Sequence, residues 1–249
     1  ANHLDIATVS VNFLMGEEWD VLEDADYLKR VDQQFHWYNQ DYGSFGNFLD
    51  DLSSRKRKNI RKERRGALEN GIEIEWLVGS DIREEHWDAF YNFYVDTGNR
   101  KWGQPYLNRE FFSLITESMA DRVLLILCSR QGRHIAGALN FIGREALFGR
   151  YWGCVEDHPF LHFEVCYYQA IDFAIQHGLG RVEAGAQGPH KIARGYRPTP
   201  THSAHYIRDP GFRKAVADYL GHERIEVGND IEYLSDRVPF RKGERPSLD

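Results

Sequence analysis

The sequence predicts an α/β (α+β) fold in which a mixed, mostly antiparallel sheet is flanked by helices. From residue 72 onward, segments with the alternation of strands interleave with segments that have the helical period. Three strand-like segments between residues 123 and 153 are separated only by the tight-turn pair Gln131-Gly132 and by Gly143, which predicts antiparallel hairpins. Consecutive hairpins argue against a doubly wound parallel sheet, in which helices connect the strands.

The elements follow from apolar patterning along the chain. Alternating or continuous apolar residues predict strands at 7–14, 27–38, 71–78, 123–129, 135–142, 146–153, 181–186 and 203–207. Apolar residues at helical spacing, or caps and breakers, predict helices at 17–22, 45–52, 53–71, 84–95, 109–119, 161–177 and 212–220. The segment 161–177 has the clearest helical face, and Gly178 and Gly180 end it.

Composition and length indicate a globular protein. The chain has 249 residues, of which 42% are hydrophobic and 14% aromatic, enough for one large domain or two small ones. Its three cysteines, Cys128, Cys154 and Cys166, are isolated, which predicts reduced thiols and a cytoplasmic location. No apolar run approaches the ~20 residues of a membrane span. Because the chain begins at Ala1 and not at methionine, we expect a fragment or a processed chain.

Positive charge is concentrated in one segment of an acidic chain. The net charge is −7, yet residues 55–65 contain eight basic residues and a single acid, Glu63. Like charges this close on a helix repel each other, and an anionic partner would relieve the repulsion. We therefore predict that six of these residues bind phosphate: Arg55, Lys56, Lys58, Arg61, Lys62 and Arg65. The structural alternative is a solvated basic face.

The segment Arg181–Ser203 is the densest candidate for chemistry. Glycines open its backbone to a ligand, and basic residues recur beside them. Lys191 can stabilise negative charge on a carbonyl oxygen, and His190 can take a proton near neutral pH. Arg194 and Arg197 are predicted to hold an anionic part of a substrate. The alternative is an ordinary charged surface loop.

Five further residues are predicted to contact substrate. Tyr151 and Trp152 are aromatic residues beside polar ones and can line a cleft. Glu164 and Glu183 flank the long helix and can orient an amine, although pairing with an arginine is an equal alternative. Gln187 lies in the glycine-opened stretch between them and Lys191.

Several common site types lack support. The pairs His158/His162 and His202/His205 have neither a third ligand nor a fixed geometry, so we predict no metal site. The sequence contains no nucleophile elbow, P-loop or dinucleotide-binding glycine motif. The absence of these motifs argues against hydrolase, kinase and dinucleotide-dependent functions.

Three stretches together resemble a known family: SRKRKNIRKERR from residue 54, LHFEVCYYQAIDFAIQHGL from 161 and RVEAGAQGPHKIARGYRPTPTHSAHYI from 181. The chain resembles the FemAB-like N-acyltransferases, also described as peptidoglycan biosynthesis/recognition proteins, over nearly its whole length. The resemblance implies two GNAT-like subdomains, the first present only in part. It divides the chain into 1–52, the remainder of the first subdomain, and 53–71, a basic connecting helix. Residues 72–236 form a complete acyltransferase subdomain, and 237–249 a polar tail.

The resemblance also implies a reaction. The better-known relatives add amino acids from aminoacyl-tRNA to cell-wall precursor peptides, and a Phe-Lys segment after a strand supplies a functional lysine. The stretch HKIARGY is similar and places that role on Lys191, with His190 at the aromatic position. Ordinary GNAT enzymes hold CoA at a glycine-containing turn, whereas the matching connection here contains the acids Glu156 and Asp157. The relatives' long tRNA-binding arm has no counterpart in this sequence.

Our interpretation is an acyl- or aminoacyltransferase that acts on the amine of a small molecule or peptide. It would work by positioning and electrostatics, without a tightly bound cofactor. The donor is aminoacyl-tRNA or acyl-CoA, which makes tRNA a candidate partner. The alternatives are a non-catalytic module for a cell-wall or nucleotide-containing ligand, a nucleic-acid-binding domain, and an acetyl-CoA-dependent N-acetyltransferase. The sequence does not indicate an oligomeric state.

Overall fold

The computed structural model of the chain describes residues 6–100, 103 and 105–241. The described residues form two compact units, and neither is continuous in sequence. Among the described residues, the smaller unit draws on 6–35, 186–192 and 197–238, and the larger on those within 36–185, 193–196 and 239–241. The subdomain boundaries predicted at residues 52 and 71 stay predictions, and residues 242–249 of the predicted tail lie outside the described residues.

Strands and helices interleave along the described chain. The strands are β1 (Thr8–Leu14), β2 (Leu28–Tyr38), β3 (Ile72–Val78), β4 (Val123–Arg130), β5 (Arg133–Ile142), β6 (Ala146–Cys154), β7 (Arg181–Glu183) and β8 (Arg197–Ile207). The helices are α1 (Gly16–Asp24), α2 (Phe45–Asp51), α3 (Ser54–Ala67), α4 (Glu84–Arg100), α5 (Arg109–Met119), α6 (Leu161–Phe163), α7 (Gln169–Gln176) and α8 (Pro210–Ser235). A π-helical turn, Glu164–Tyr168, joins α6 to α7, and a 3₁₀ turn covers Pro189–Arg194.

In the smaller unit, the strand order is β1-β8-β2. Strands β1 and β8 are antiparallel, with Thr8 opposite Ile207. The carboxylate of Asp209 accepts a hydrogen bond from the Phe212 amide at 2.7 Å and begins α8, as an N-cap does. Helix α8 packs against β8.

In the larger unit, the strand order is β2-β7-β6-β5-β4-β3. All neighbours are antiparallel except β6 and β7, which are parallel because the helices between them return the chain to the same end of the sheet. Residues 123–128 of β4 are fully buried. Trp87, Phe90 and Phe112 of α4 and α5 cluster with every second residue of this segment, and the residues between are buried on the opposite face. A strand covered on both faces accounts for the continuous apolar run in the sequence.

Several elements differ from their predicted extents, four of them as follows. Helix α8 continues past residue 220 because Leu220 and Val227 keep an inward side, while Gly221 and Gly228 lie exposed. Strand β8 begins at Arg197, earlier than predicted. It tolerates the prolines at 198 and 200 because its pairing with β1 begins only at His202, so neither proline has to donate a hydrogen bond to β1. Strand β7 ends at Glu183, shortly before the positive φ of Gly185. The long helix predicted at 161–177 contains the π-turn.

Candidate functional site

The segment after β7 is shaped by three glycines with left-handed backbone. The φ angles are 77° at Gly185, 98° at Gly188 and 92° at Gly195. A Cβ on Gly188 would lie 2.4 Å from the His190 ring, so only glycine lets that ring fold back over the turn. A Cβ on Gly195 would lie 2.6 Å from the Phe48 ring. Glycine is therefore required by the backbone both before and after Lys191, at Gly188 and Gly195.

Lys191 is buried in the 3₁₀ turn. Its side chain is 4% exposed, and its ammonium nitrogen lies 5.5 Å from the centroid of the Phe35 ring. Its amide donates to the carbonyl oxygen of Gly188 at 3.1 Å, which closes the turn. Lysine is almost never this buried without a specific reason. His190, its neighbour, is exposed.

Arg194 ends the same turn and is fixed by an acid from α3. Its Nη2 donates to both carboxylate oxygens of Glu63 at 3.0 Å, and the guanidinium lies 3.5 Å from the Phe163 ring centroid. The Tyr168 hydroxyl donates to the same carboxylate. Burial raises the pKa of Tyr168, so the phenol keeps the proton that it donates. Arg194 is therefore held between α3 and the π-turn.

A second ion pair joins the same elements. Arg64 Nη2 binds Glu164 Oε1 at 3.0 Å and Asp172 Oδ2 at 2.7 Å. Glu164 is 0% exposed and also accepts a hydrogen bond from Gln169 at 2.7 Å. Burial raises the pKa of Glu164, and Arg64 and Gln169 offset part of that increase. Glu164 therefore pairs with an arginine, Arg64, and its predicted contact with a substrate stays a prediction.

The π-turn connects the two ion pairs. Glu164 at its start binds Arg64, and Tyr168 at its end binds Glu63. Consecutive residues of α3 therefore contact the two ends of one widened helical turn. Turns of this kind shift the side chains that follow them and occur often at functional sites.

The structure separates the two predicted aromatic contacts. The Tyr151 ring packs on Tyr94, with the centroids 5.1 Å apart, whereas the Trp152 ring packs on His162 at 5.3 Å. Adjacent strand residues point to opposite faces, so one cleft does not receive both. Only Trp152 lies on the side of the π-turn, because His162 also contacts Tyr167 of that turn at 5.3 Å.

The other predicted contacts are placed as follows. Glu183 accepts from Arg181 Nε at 2.8 Å and lies 3.7 Å from His36 Nε2, so it already has two partners. Gln187 is exposed in the loop, and Arg197 is half-buried at the start of β8. Their roles toward a substrate stay predictions.

The basic helix separates into paired and unpaired cations. Arg57 binds Asp50 at 2.9 Å, and Arg64 binds the two acids named above. The six residues predicted to bind phosphate form no ion pair with any residue in the described part of the chain. Five of the six are exposed, and Lys56 is half-buried. Phosphate binding by this helix stays a prediction.

Sequence reasoning missed several members of the buried cluster, among them Glu63, Arg64, Tyr168 and Asp172. Glu63 had one sequence signal, its position as the single acid in a basic run. Tyr168 and Asp172 had none, because their partners are about a hundred residues away in sequence.

The family follows from a match over most of the chain. The model of the FemAB-like family, described as peptidoglycan biosynthesis/recognition, matches residues 1–242. The chain belongs to this family. No curated protein sequence matches it.

Solved structures show the fold of this FemAB-like protein. It is similar to FemX (11% identity, TM-score 0.61, 87% of this chain and 76% of that chain). It is also similar to the C-terminal domain of a putative lysylphosphatidylglycerol synthetase from Agrobacterium fabrum (10%, 0.58, 96% and 75%) and to L-PGS from Bacillus licheniformis (10%, 0.57, 94% and 73%). The predicted GNAT-like mixed fold is confirmed.

Two features are absent from the described residues. Within residues 6–100, 103 and 105–241, no helix combines the length and the apolar character that a bilayer crossing requires. The same residues contain no group of three or more His, Cys, Asp or Glu side chains arranged to hold a metal ion.

Replacing Gly195 with alanine should destabilise the FemAB-like protein more than the same change at Gly185. Both glycines have positive φ, so each alanine costs about 1 kcal/mol in backbone strain. Only the new methyl at 195 meets a neighbour, the Phe48 ring, which adds about 1–3 kcal/mol of overpacking. Urea unfolding of the two variants measures the difference, and equal stabilities would show that Phe48 moves aside without cost.

Proposed function

We propose that this FemAB-like protein is an N-acyltransferase that moves an aminoacyl group onto an amine of a cell-wall precursor or peptide. The observation that carries the proposal is the burial of Lys191 in the glycine-shaped turn after β7. A cation held away from bulk water interacts strongly with a charge that develops beside it. Family membership supports the same class of reaction.

The proposed chemistry is addition followed by elimination. The amine nitrogen forms a bond to the donor's carbonyl carbon, and the carbonyl π electrons move to oxygen. The Lys191 ammonium stabilises this oxyanion. Collapse of the adduct re-forms the carbonyl and breaks the bond to the donor's alcohol oxygen, which leaves with the electron pair.

A proton must move from the attacking amine to the leaving oxygen. His190 is the proposed carrier, because it is exposed beside Lys191 and an imidazole exchanges protons near neutral pH. Gln187 and Arg197 are the proposed substrate contacts on either side. Arg194 has a supporting role in this proposal, since Glu63 and Phe163 hold its guanidinium.

Aminoacyl-tRNA is the proposed donor, in preference to acyl-CoA. Two structural neighbours are named for lysylphosphatidylglycerol synthesis or as L-PGS, and a third as FemX. In the connection before α6, Glu156 is held by His158 at 2.9 Å and by Arg130 at 3.3 Å. These contacts lower the pKa of Glu156, so its carboxylate is ionised and already occupies the arginine that a CoA pyrophosphate would otherwise bind. A cytoplasmic location is part of the proposal, because the donor is found there.

Mass spectrometry of reaction products tests the proposal. The protein is incubated with a mixed aminoacyl-tRNA pool or with acetyl-CoA, and with a UDP-linked cell-wall pentapeptide or a lysine-containing peptide as acceptor. We expect an aminoacyl mass increase on an acceptor amine with the tRNA pool only. An acetylated product would overturn the choice of donor. No product from either donor, with ligand binding retained, would identify a recognition module in place of an enzyme.

A further inference from the structure

Helix α3 presents a cationic stripe to solvent. Arg55, Lys58, Lys62 and Arg65 recur at steps of three and four residues, which aligns them on one helical face, and the exposed Arg61 lies beside them. None of the five forms an ion pair with a residue that the structure describes. The opposite side is buried at Ile60 and Ala67. The stripe is therefore available for an external anion along the whole helix.

Exposed apolar side chains flank the C-terminal end of the stripe. Phe160 is 37% exposed, and its ring lies beside the helix at Gly66, where a Cβ would be 3.0 Å from the ring. Leu68 is 44% exposed and follows Arg61 by seven residues, which places it on the other flank. Phe160 has a φ of 67°, a left-handed conformation that bulky residues rarely adopt. The aromatic ring of Phe160 is therefore held at the surface by a backbone conformation that is unfavourable for phenylalanine.

We propose that this face, formed by the five exposed cations with Phe160 and Leu68, docks the protein on a bilayer that contains anionic lipids. A lipid surface offers phosphates to the stripe and an apolar layer to the two flanking side chains at the same time. RNA phosphates would satisfy the cations but leave Leu68 in water. Glu69, exposed just after the helix, is an acid that weakens the positive charge at this end. The inference does not depend on the proposed reaction.

Vesicle sedimentation of the full chain tests the docking face. The probes are vesicles of phosphatidylcholine alone and vesicles of equal parts phosphatidylcholine and phosphatidylglycerol. We expect binding to the anionic vesicles only, and weaker binding as salt is added. Lys58→Gln with Lys62→Gln should lower the affinity roughly thirtyfold, given the contribution of each cation near a charged bilayer. Phe160→Asn, which suits a left-handed backbone, should lower it further.

A matched control variant distinguishes the effect of the docking face from the effect of the protein's net charge. Arg122→Gln with Arg144→Gln removes the same two charges from exposed residues elsewhere, and it should leave vesicle binding unchanged. Equal losses from both pairs would overturn the proposal, as would equal binding to neutral and anionic vesicles. If Lys58 and Lys62 are required for retention of tRNA in a gel but not for vesicle binding, the face is an RNA surface and the lipid proposal is wrong.

Discussion

Replacing Lys191 with methionine is expected to lower the turnover of aminoacyl transfer by about 10²- to 10³-fold, the usual effect of removing one oxyanion-stabilising group. Methionine keeps an unbranched side chain of similar length beside Phe35, and an apolar side chain has no desolvation cost in this buried turn. The fold should therefore persist, and donor binding should change little. Turnover by product mass spectrometry and donor affinity by titration measure the two effects separately.

The matched control is Lys214→Met on α8, which removes a lysine that is exposed and has no ion pair with a described residue. It should retain full turnover. Loss of affinity without loss of turnover in Lys191→Met would assign this lysine to ligand binding. Full activity in that variant would remove the central residue of the proposed mechanism.

The sequence predicts best those elements whose caps and apolar spacing lie within the element itself. Helix α5 lies at the predicted residues because Asn108 caps it and its apolar face is regular. Strand β4 was recognisable because a strand covered on both faces has no polar alternation. The π-turn at Glu164–Tyr168 was invisible, since a single widened turn leaves the apolar spacing of the long helix nearly unchanged.

The candidate site was predictable in its location but not in its pairings. Glycines and cations in one stretch pointed to Lys191, whose burial no sequence pattern required. The role of Glu63 depends on Arg194 and Tyr168, which are more than a hundred residues away. The sequence shows that an acid stands in the basic segment but not which cation it pairs with, because only the tertiary fold brings these residues together.

Replacing Arg64 with methionine is expected to lower the free energy of unfolding by about 3–5 kcal/mol, because it leaves the carboxylate of Glu164 buried without its cation. Methionine keeps an unbranched apolar side chain beside the Phe45 ring, although it loses the guanidinium that lies 4.2 Å from the ring centroid. Glu164→Gln alone should cost far less, since Arg64 keeps its contact with Asp172 at 2.7 Å. Urea unfolding of both variants measures these costs.

The double variant Arg64→Met/Glu164→Gln should be more stable than Arg64→Met, because it contains no uncompensated charge at residue 164. The pH dependence gives the same test without a second substitution. Burial raises the pKa of Glu164 in the folded chain, and loss of Arg64 removes the main influence that lowers it. A carboxyl whose folded pKa exceeds its unfolded value binds its proton more tightly when folded. It therefore stabilises the fold below the unfolded pKa and loses that contribution as pH rises through the folded pKa.

The stability deficit of Arg64→Met relative to the natural chain should accordingly shrink as the pH falls from neutral towards the ordinary pKa of a glutamic acid, because Glu164 takes up a proton in the folded variant. In Arg64→Met/Glu164→Gln this shrinkage should be absent, since glutamine does not titrate and cannot take up the proton. If the stability deficit of the single variant Arg64→Met instead grows on acidification, solvent reaches Glu164 once Arg64 is removed. In that case the pair would not be the internal support that joins α3 to the π-turn, and the position of Arg194 would depend on Glu63 and Tyr168 alone.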